Sequence, residues 1–127
     1  MLTYIAHNTA REIHSARQVI FHDILTLDSV HNQLTWHPGN IVIPLNDAQK
    51  RFFNCLLMKV TSKQQIISIV WNERAYGISD NNYHQLLFQS RALLKRHKLP
   101  DGLLVTIPYH GVRLNEDLLL SSAKAYG

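Results

Sequence analysis

Apolar positions in this chain change period twice, from alternation near the start to helical spacing in the middle and back to alternation near the end. Residues 18–28 mix β-branched and aromatic side chains in partial alternation, which suits short strands better than a helix. Polar residues 29–32 read as a turn. Residues 33–36 and 41–45 then flank His37-Pro38-Gly39-Asn40, and a Pro-Gly pair between apolar segments is what a tight hairpin requires. An N-terminal antiparallel sheet is expected, with its last strand ending at Pro44 or lying on an edge, because proline has no N–H for a further ladder. Residues 1–16 fit no single pattern.

Helical spacing follows. Asn46 or Asp47 can cap a first helix whose Ala48, Phe52, Leu56 and Val60 are four apart, joined on adjoining faces by Phe53, Cys55 and Leu57. Ser62 and Gln65 form a capping-box pattern ahead of Ile66, Ile67, Ile69, Val70 and Trp71, so a short second helix is expected. Residues 72–79 hold Gly77 and no apolar period, and read as a loop. Ser79 or Asp80 then caps a third helix running to about Lys98. Its buried stripe is Tyr83, Leu87, Ser90 and Leu94, with Leu86 and Leu93 beside it; Asn81, Asn82, His84, Gln85, Gln89 and Lys95 face outward. Pro100-Asp101-Gly102 stops that helix, and residues 103–107 and 112–114 are strands joined by Pro108-Tyr109-His110-Gly111.

Composition narrows the class. With 127 residues, 46% hydrophobic and 17% charged, the chain fits one globular domain with a real core. The net charge of +4 makes a polyanion a plausible partner. Between residues 80 and 114, Arg91, Lys95, Arg96, Lys98 and Arg113 stand against Asp80 and Asp101, a local balance of five minus two, or +3. Most of the excess charge therefore lies in that stretch. The single cysteine, Cys55, cannot close an internal disulfide and falls in an apolar helical pattern, so a buried, inert thiol in a reducing compartment is expected. No apolar run reaches membrane-spanning length, and His7 and Asn8 interrupt what a signal peptide would need. A soluble, cytoplasmic chain is the expectation.

Catalytic chemistry finds little support. The eight histidines contain no i,i+4 pair, and no second cysteine could complete a thiolate metal site. There is no phosphate-binding Gly-rich loop and no Gly-flanked serine nucleophile. The expectation is no enzyme, no metal, no cofactor and no small-molecule substrate.

The order of sheet, two short helices, long third helix and closing hairpin resembles the winged helix-turn-helix domain of the OmpR/PhoB group, an α+β fold with three helices and a C-terminal β-hairpin wing. Leu45 to Leu57 is similar to that family's first helix, Ser62 to Trp71 to its second, and Arg91-Ala92-Leu93-Leu94 to a stretch of its third. Val105-Thr106-Ile107-Pro108-Tyr109-His110-Gly111-Val112-Arg113-Leu114 is similar to the wing of the ToxR-like and CadC-like branch. The resemblance covers residues 19–114, leaving 1–18 as an N-terminal extension and 115–127 as a C-terminal tail. Ser90 stands where the family has leucine, Phe88 and Gln89 where it has basic residues, and Val112 where it has the wing tyrosine. Too few residues lie ahead of the motif in this sequence for a receiver domain, so control by phosphorylation within this chain is not expected. Relatives of the ToxR-like branch usually continue into a membrane span, so the chain is either a free-standing regulator or the cytoplasmic part of a longer one.

The resemblance implies a transcription regulator that binds double-stranded DNA, with helix 80–98 in the major groove and hairpin 103–114 on the adjacent minor groove or backbone. Asn81, Asn82, His84, Gln85 and Gln89 then face bases, and Asn or Gln can bond adenine N6 and N7 together. Arg91, Lys95 and Arg96 neutralise phosphates, or else are only a solvated helix end where cations suit the negative pole. Thr106, Tyr109, His110 and Arg113 belong to the wing, and Lys63 sits where a helix N-terminus favours a phosphate. Trp71 reads more readily as core than as contact. Phe88 is either a partly buried core aromatic or, if outward, a contact for a thymine methyl. Loop 72–79 could touch RNA polymerase, and binding as a homodimer or tandem pair is expected. The rival reading is a protein-interaction module that keeps the fold but has lost strong DNA contact, motivated by the lack of arginine on the third helix before position 91.

Overall fold

Side chains on extended backbone alternate between the two faces of a sheet, and that alternation builds the first half of the protein. In the computed structural model, which describes residues 17–72, 77 and 80–126, strands β1 (Gln18–Phe21), β2 (Leu25–Asp28), β3 (Gln33–Trp36) and β4 (Ile41–Pro44) form one antiparallel sheet in sequence order. Its register sets Val19, Leu27, Leu34 and Ile43 in one cross-strand row and Phe21, Leu25, Trp36 and Ile41 in the next. Both rows pack into or against the core, with Leu27, Trp36 and Ile43 fully buried. The opposite face carries the row Ile20, Thr26, Thr35 and Val42. Pro44 both ends β4 and lies on the sheet edge, as its missing N–H demands. The β1–β2 turn holds His22 and Asp23 at positive φ, the twist that tight hairpins favour, without a glycine. Residues 1–16 lie outside the described residues.

Asn46 starts helix α1 (Asp47–Leu57): its side chain accepts from Gln49 N at 2.8 Å, and the Gln49 side chain accepts from Asn46 N at 3.0 Å. This reciprocal pair satisfies two backbone donors that the first turn would leave open. Phe52, Phe53, Cys55 and Leu56 are buried, and α1 packs on β1, β2, both following helices and the last strand. Lys59, at φ 65°, turns the chain, and Val60 reaches the core from beyond the helix end. Helix α2 (Lys63–Trp71) is capped by Ser62, whose hydroxyl accepts from Gln65 N at a long 3.5 Å, one half of the expected box. Ile66, Ile67, Ile69 and Val70 are buried, and Trp71 packs partly against the core.

Helix α3 (Asp80–Arg96) buries Tyr83, Leu86, Leu87, Ser90, Leu93 and Leu94, the stripe expected from its spacing. Asp80 is the first described residue of this helix, and Ser79, the other expected cap, lies outside the described residues. The helix stops two residues short of the expected Lys98, which takes φ 64° while Leu99 N donates back to Leu94 O at 3.0 Å. This left-handed exit satisfies a terminal carbonyl. Strands β5 (Leu104–Ile107) and β6 (Gly111–Leu114) then form the separate hairpin.

Two boundaries differ from expectation. Gln18 already pairs with Asp28, so the sheet begins inside the expected N-terminal extension. Residues 115–127, read as a tail, contain a fourth helix, α4 (Glu116–Tyr126). Asn115 caps it by accepting from Leu118 N at 3.1 Å, and Leu119 is fully buried. The architecture is therefore α+β with a four-stranded sheet, four helices among the described residues and a two-stranded hairpin, not three helices. No helix among the described residues is long and apolar enough to cross a membrane.

Candidate nucleic-acid interface

The hairpin is set against the helices by a backbone contact that leaves no room for a side chain. Gly111 lies beside the linker between α1 and α2: Val112 N donates to Thr61 O at 3.0 Å, and Lys63 N donates to His110 O at 2.9 Å. A Cβ on Gly111 would stand 1.9 Å from Thr61 O, inside van der Waals contact, so glycine is required by close approach. Thr61 Oγ1 and His110 Nε2 add a bond of 2.9 Å. One open donor at the start of α2 is thereby taken by the hairpin. That changes the sequence expectation for Lys63, whose backbone N–H is not available to a phosphate.

Arg91 fixes the other side. Its Nη2 donates to Thr106 Oγ1 at 2.8 Å and to Leu104 O at 3.3 Å, so the guanidinium ties α3 to β5 while remaining exposed. Between these attachments lies an open groove of about 630 Å3. Lys63 and Gln64 line it from α2, His84, Leu87, Phe88 and Arg91 from α3, and Thr106, Tyr109 and His110 from the hairpin. Six residues expected at a DNA site are thus brought together: Lys63, His84, Arg91, Thr106, Tyr109 and His110.

Others are exposed but elsewhere. Asn81, Asn82, Gln85 and Gln89 stand on the outward face of α3 and do not line the groove. At 3.6 residues per turn, Asn81, Phe88 and Lys95 fall on one line along the helix, with His84 and Arg91 on the hairpin side of it. Lys95 and Arg96 are exposed and form no ion pair among the described residues. Arg113 does not line the groove: it pairs across with Val105 and lines a smaller hollow with Lys59 and Glu116. Within loop 72–79 only Asn72 and Gly77 are described, both at positive φ, and the proposed polymerase contact lies largely outside the described residues.

Local electrostatics are set by one pair. Lys63 Nζ sits 2.7 Å from Asp80 Oδ1 and 5.6 Å from the centre of the Tyr83 ring. The ammonium beside it holds the Asp80 carboxyl below the usual carboxylate range. Burial pushes the Tyr83 phenol up, and its hydroxyl has no hydrogen-bond partner among the described residues.

Of the two expectations for Phe88, the outward one holds, since it is 73% exposed. Its seven-residue spacing from Asn81 and Lys95, both outward, was the signal that places it on the solvent side. Gln64 and Thr61 were not singled out, because their roles depend on a hairpin some fifty residues downstream in sequence (Thr61 to His110 is a separation of 49). No family model matches this chain, and no curated protein matches it either.

Proposed function

We propose that this chain is a winged helix-turn-helix domain that binds double-stranded DNA as part of a transcription regulator, with α3 in the major groove and the β5–β6 hairpin as the wing. The observation that carries this reading is the exposed ridge of α3 held beside a projecting hairpin by the Arg91 to Thr106 bond and the Gly111 to Thr61 contact. A major groove about 12 Å wide admits one helix, and uncharged Asn81, Gln85 and Gln89 carry the paired donors and acceptors that suit base edges. Lys95 and Arg96 at the far end of α3 suit the flanking phosphates, and the chain's charge of +4 suits the polyanion. The wing tip, with Tyr109 fully exposed, suits the adjacent minor groove or backbone.

A second reading, a protein-interaction module, draws on the exposure of Phe88 and Tyr109 in one groove. Fluorescence anisotropy separates the two. Duplexes enriched by this chain from a random-sequence library are titrated against scrambled duplexes at two salt concentrations. DNA binding requires at least about tenfold preference and an affinity that falls with salt, by a log–log slope of about −0.9 per neutralised phosphate. Equal affinity for both duplexes, or indifference to salt, overturns the reading.

A further inference from the structure

Phe88 is the one large apolar side chain on the outward line of α3, flanked seven residues away on each side by Asn81 and Lys95. It is not a stray surface phenylalanine. It shares the groove with Ile107, Leu87 and the fully exposed Tyr109, so apolar surface is concentrated where α3 meets the hairpin. The core beneath is already filled by Leu86, Leu87, Leu93 and Leu94, which leaves Phe88 no inward role. Along the major-groove edge of the four bases, hydrogen-bonding groups predominate, and the 5-methyl of thymine is the apolar exception.

We infer that Phe88 is a specificity-determining residue that reads a thymine through apolar contact with its 5-methyl group. The inference rests on the DNA-binding reading above and adds to it the chemical feature recognised at the centre of α3. Asn81 and Gln85 lie within two turns of Phe88 toward the helix start, so the methyl contact falls inside the base-reading stretch. Lys95 and Arg96 lie about two turns beyond it, on the phosphate side. The target site is therefore required to carry thymine at a position that polar readers alone would not distinguish by its methyl.

Deoxyuridine in place of thymine deletes that methyl and leaves base pairing intact. In duplexes enriched by the full chain from a random library, each thymine is replaced in turn and affinity is measured by anisotropy. One or two replacements should weaken the wild-type chain by about fourfold each, the effect of one buried methyl. Phe88→Ala should bind the thymine duplex with a similar loss and be indifferent to deoxyuridine at those positions, with an unchanged melting temperature because the side chain is exposed. If every replacement is neutral for the wild type, or Phe88→Ala keeps the full penalty, the inference is overturned while DNA binding stands. If no duplex is enriched, the DNA-binding reading itself fails and the inference with it. Neutral replacements in the wild type overturn the inference even if Phe88→Ala folds poorly, and Phe88→Leu, which keeps an apolar side chain, then stands in for the alanine variant.

Discussion

The Lys63 ammonium lies 2.7 Å from the Asp80 carboxylate, pinning the first turn of α2 to the first turn of α3 beside the groove. The pair joins the two helices whose relative placement defines the proposed site. Asp80 is largely exposed, so its contribution is modest and screened by solvent. Its direction is clear. A carboxyl held below its usual range in the folded protein adds stability that is present above the unfolded-state pKa and is lost as pH falls through the lowered folded value. Asp80→Asn should therefore show a shallower loss of melting temperature below about pH 4 than the wild type. It should also bind duplex DNA more tightly, because a negative charge is removed beside the phosphates and Lys63 is released. Weaker binding by this variant would count against the placement of Lys63 at the interface.

Gly111 tests how the hairpin is mounted. Alanine would bring a Cβ to 1.9 Å from Thr61 O and 2.8 Å from Lys63 N, both backbone atoms that cannot swing aside. Gly111→Ala should cost about 2 kcal/mol or more in urea denaturation, as overpacking against fixed backbone does. An unchanged midpoint would mean that the hairpin can detach without loss.

Ser90 sits fully buried in the α3 stripe, and its hydroxyl has no hydrogen-bond partner among the described residues. Leaving a buried hydroxyl unsatisfied is unfavourable, and alanine is the better helix former. Ser90→Ala should raise stability by about 1 kcal/mol in the same denaturation assay. A lower midpoint would show that the hydroxyl is needed.

The Cys55 thiol is buried in α1, and burial pushes its pKa up to about 12. At mildly alkaline pH almost no thiolate exists to react. Ellman's reagent should leave the folded chain unlabelled and titrate one thiol per chain after addition of denaturant. Rapid labelling of the native protein would contradict the packing of α1.

Much of this fold is written in local patterns. Asn46 with Gln49, the Pro38-Gly39 turn and the Tyr83 to Leu94 stripe each involve residues within one element, where periodicity and capping rules apply directly. Helix α4 is not legible in the sequence because its core contribution is Leu119 with partial help from Leu118 and the small Ala123, too little for a helical period to stand out. The site was harder to read. Asn81, Gln85 and Lys95 are outward as their spacing requires, but the groove depends on Arg91 meeting Thr106 and on Thr61 meeting His110, pairs 15 and 49 residues apart in sequence. No local rule links such residues. Arg113 shows the same limit in reverse: its type and position suited a DNA contact, yet the helix-linker side of the hairpin places it in a separate hollow with Lys59 and Glu116.

The central claim is that double-stranded DNA binds against α3 and the β5–β6 hairpin. Amide chemical-shift mapping of the 15N-labelled chain, with and without an enriched duplex, tests it most directly. Shifts should concentrate in residues 81–96 and 106–111 and spare the four-stranded sheet, β1 to β4. Shifts confined to that sheet or to α4, or no shifts at saturating duplex, would contradict the account.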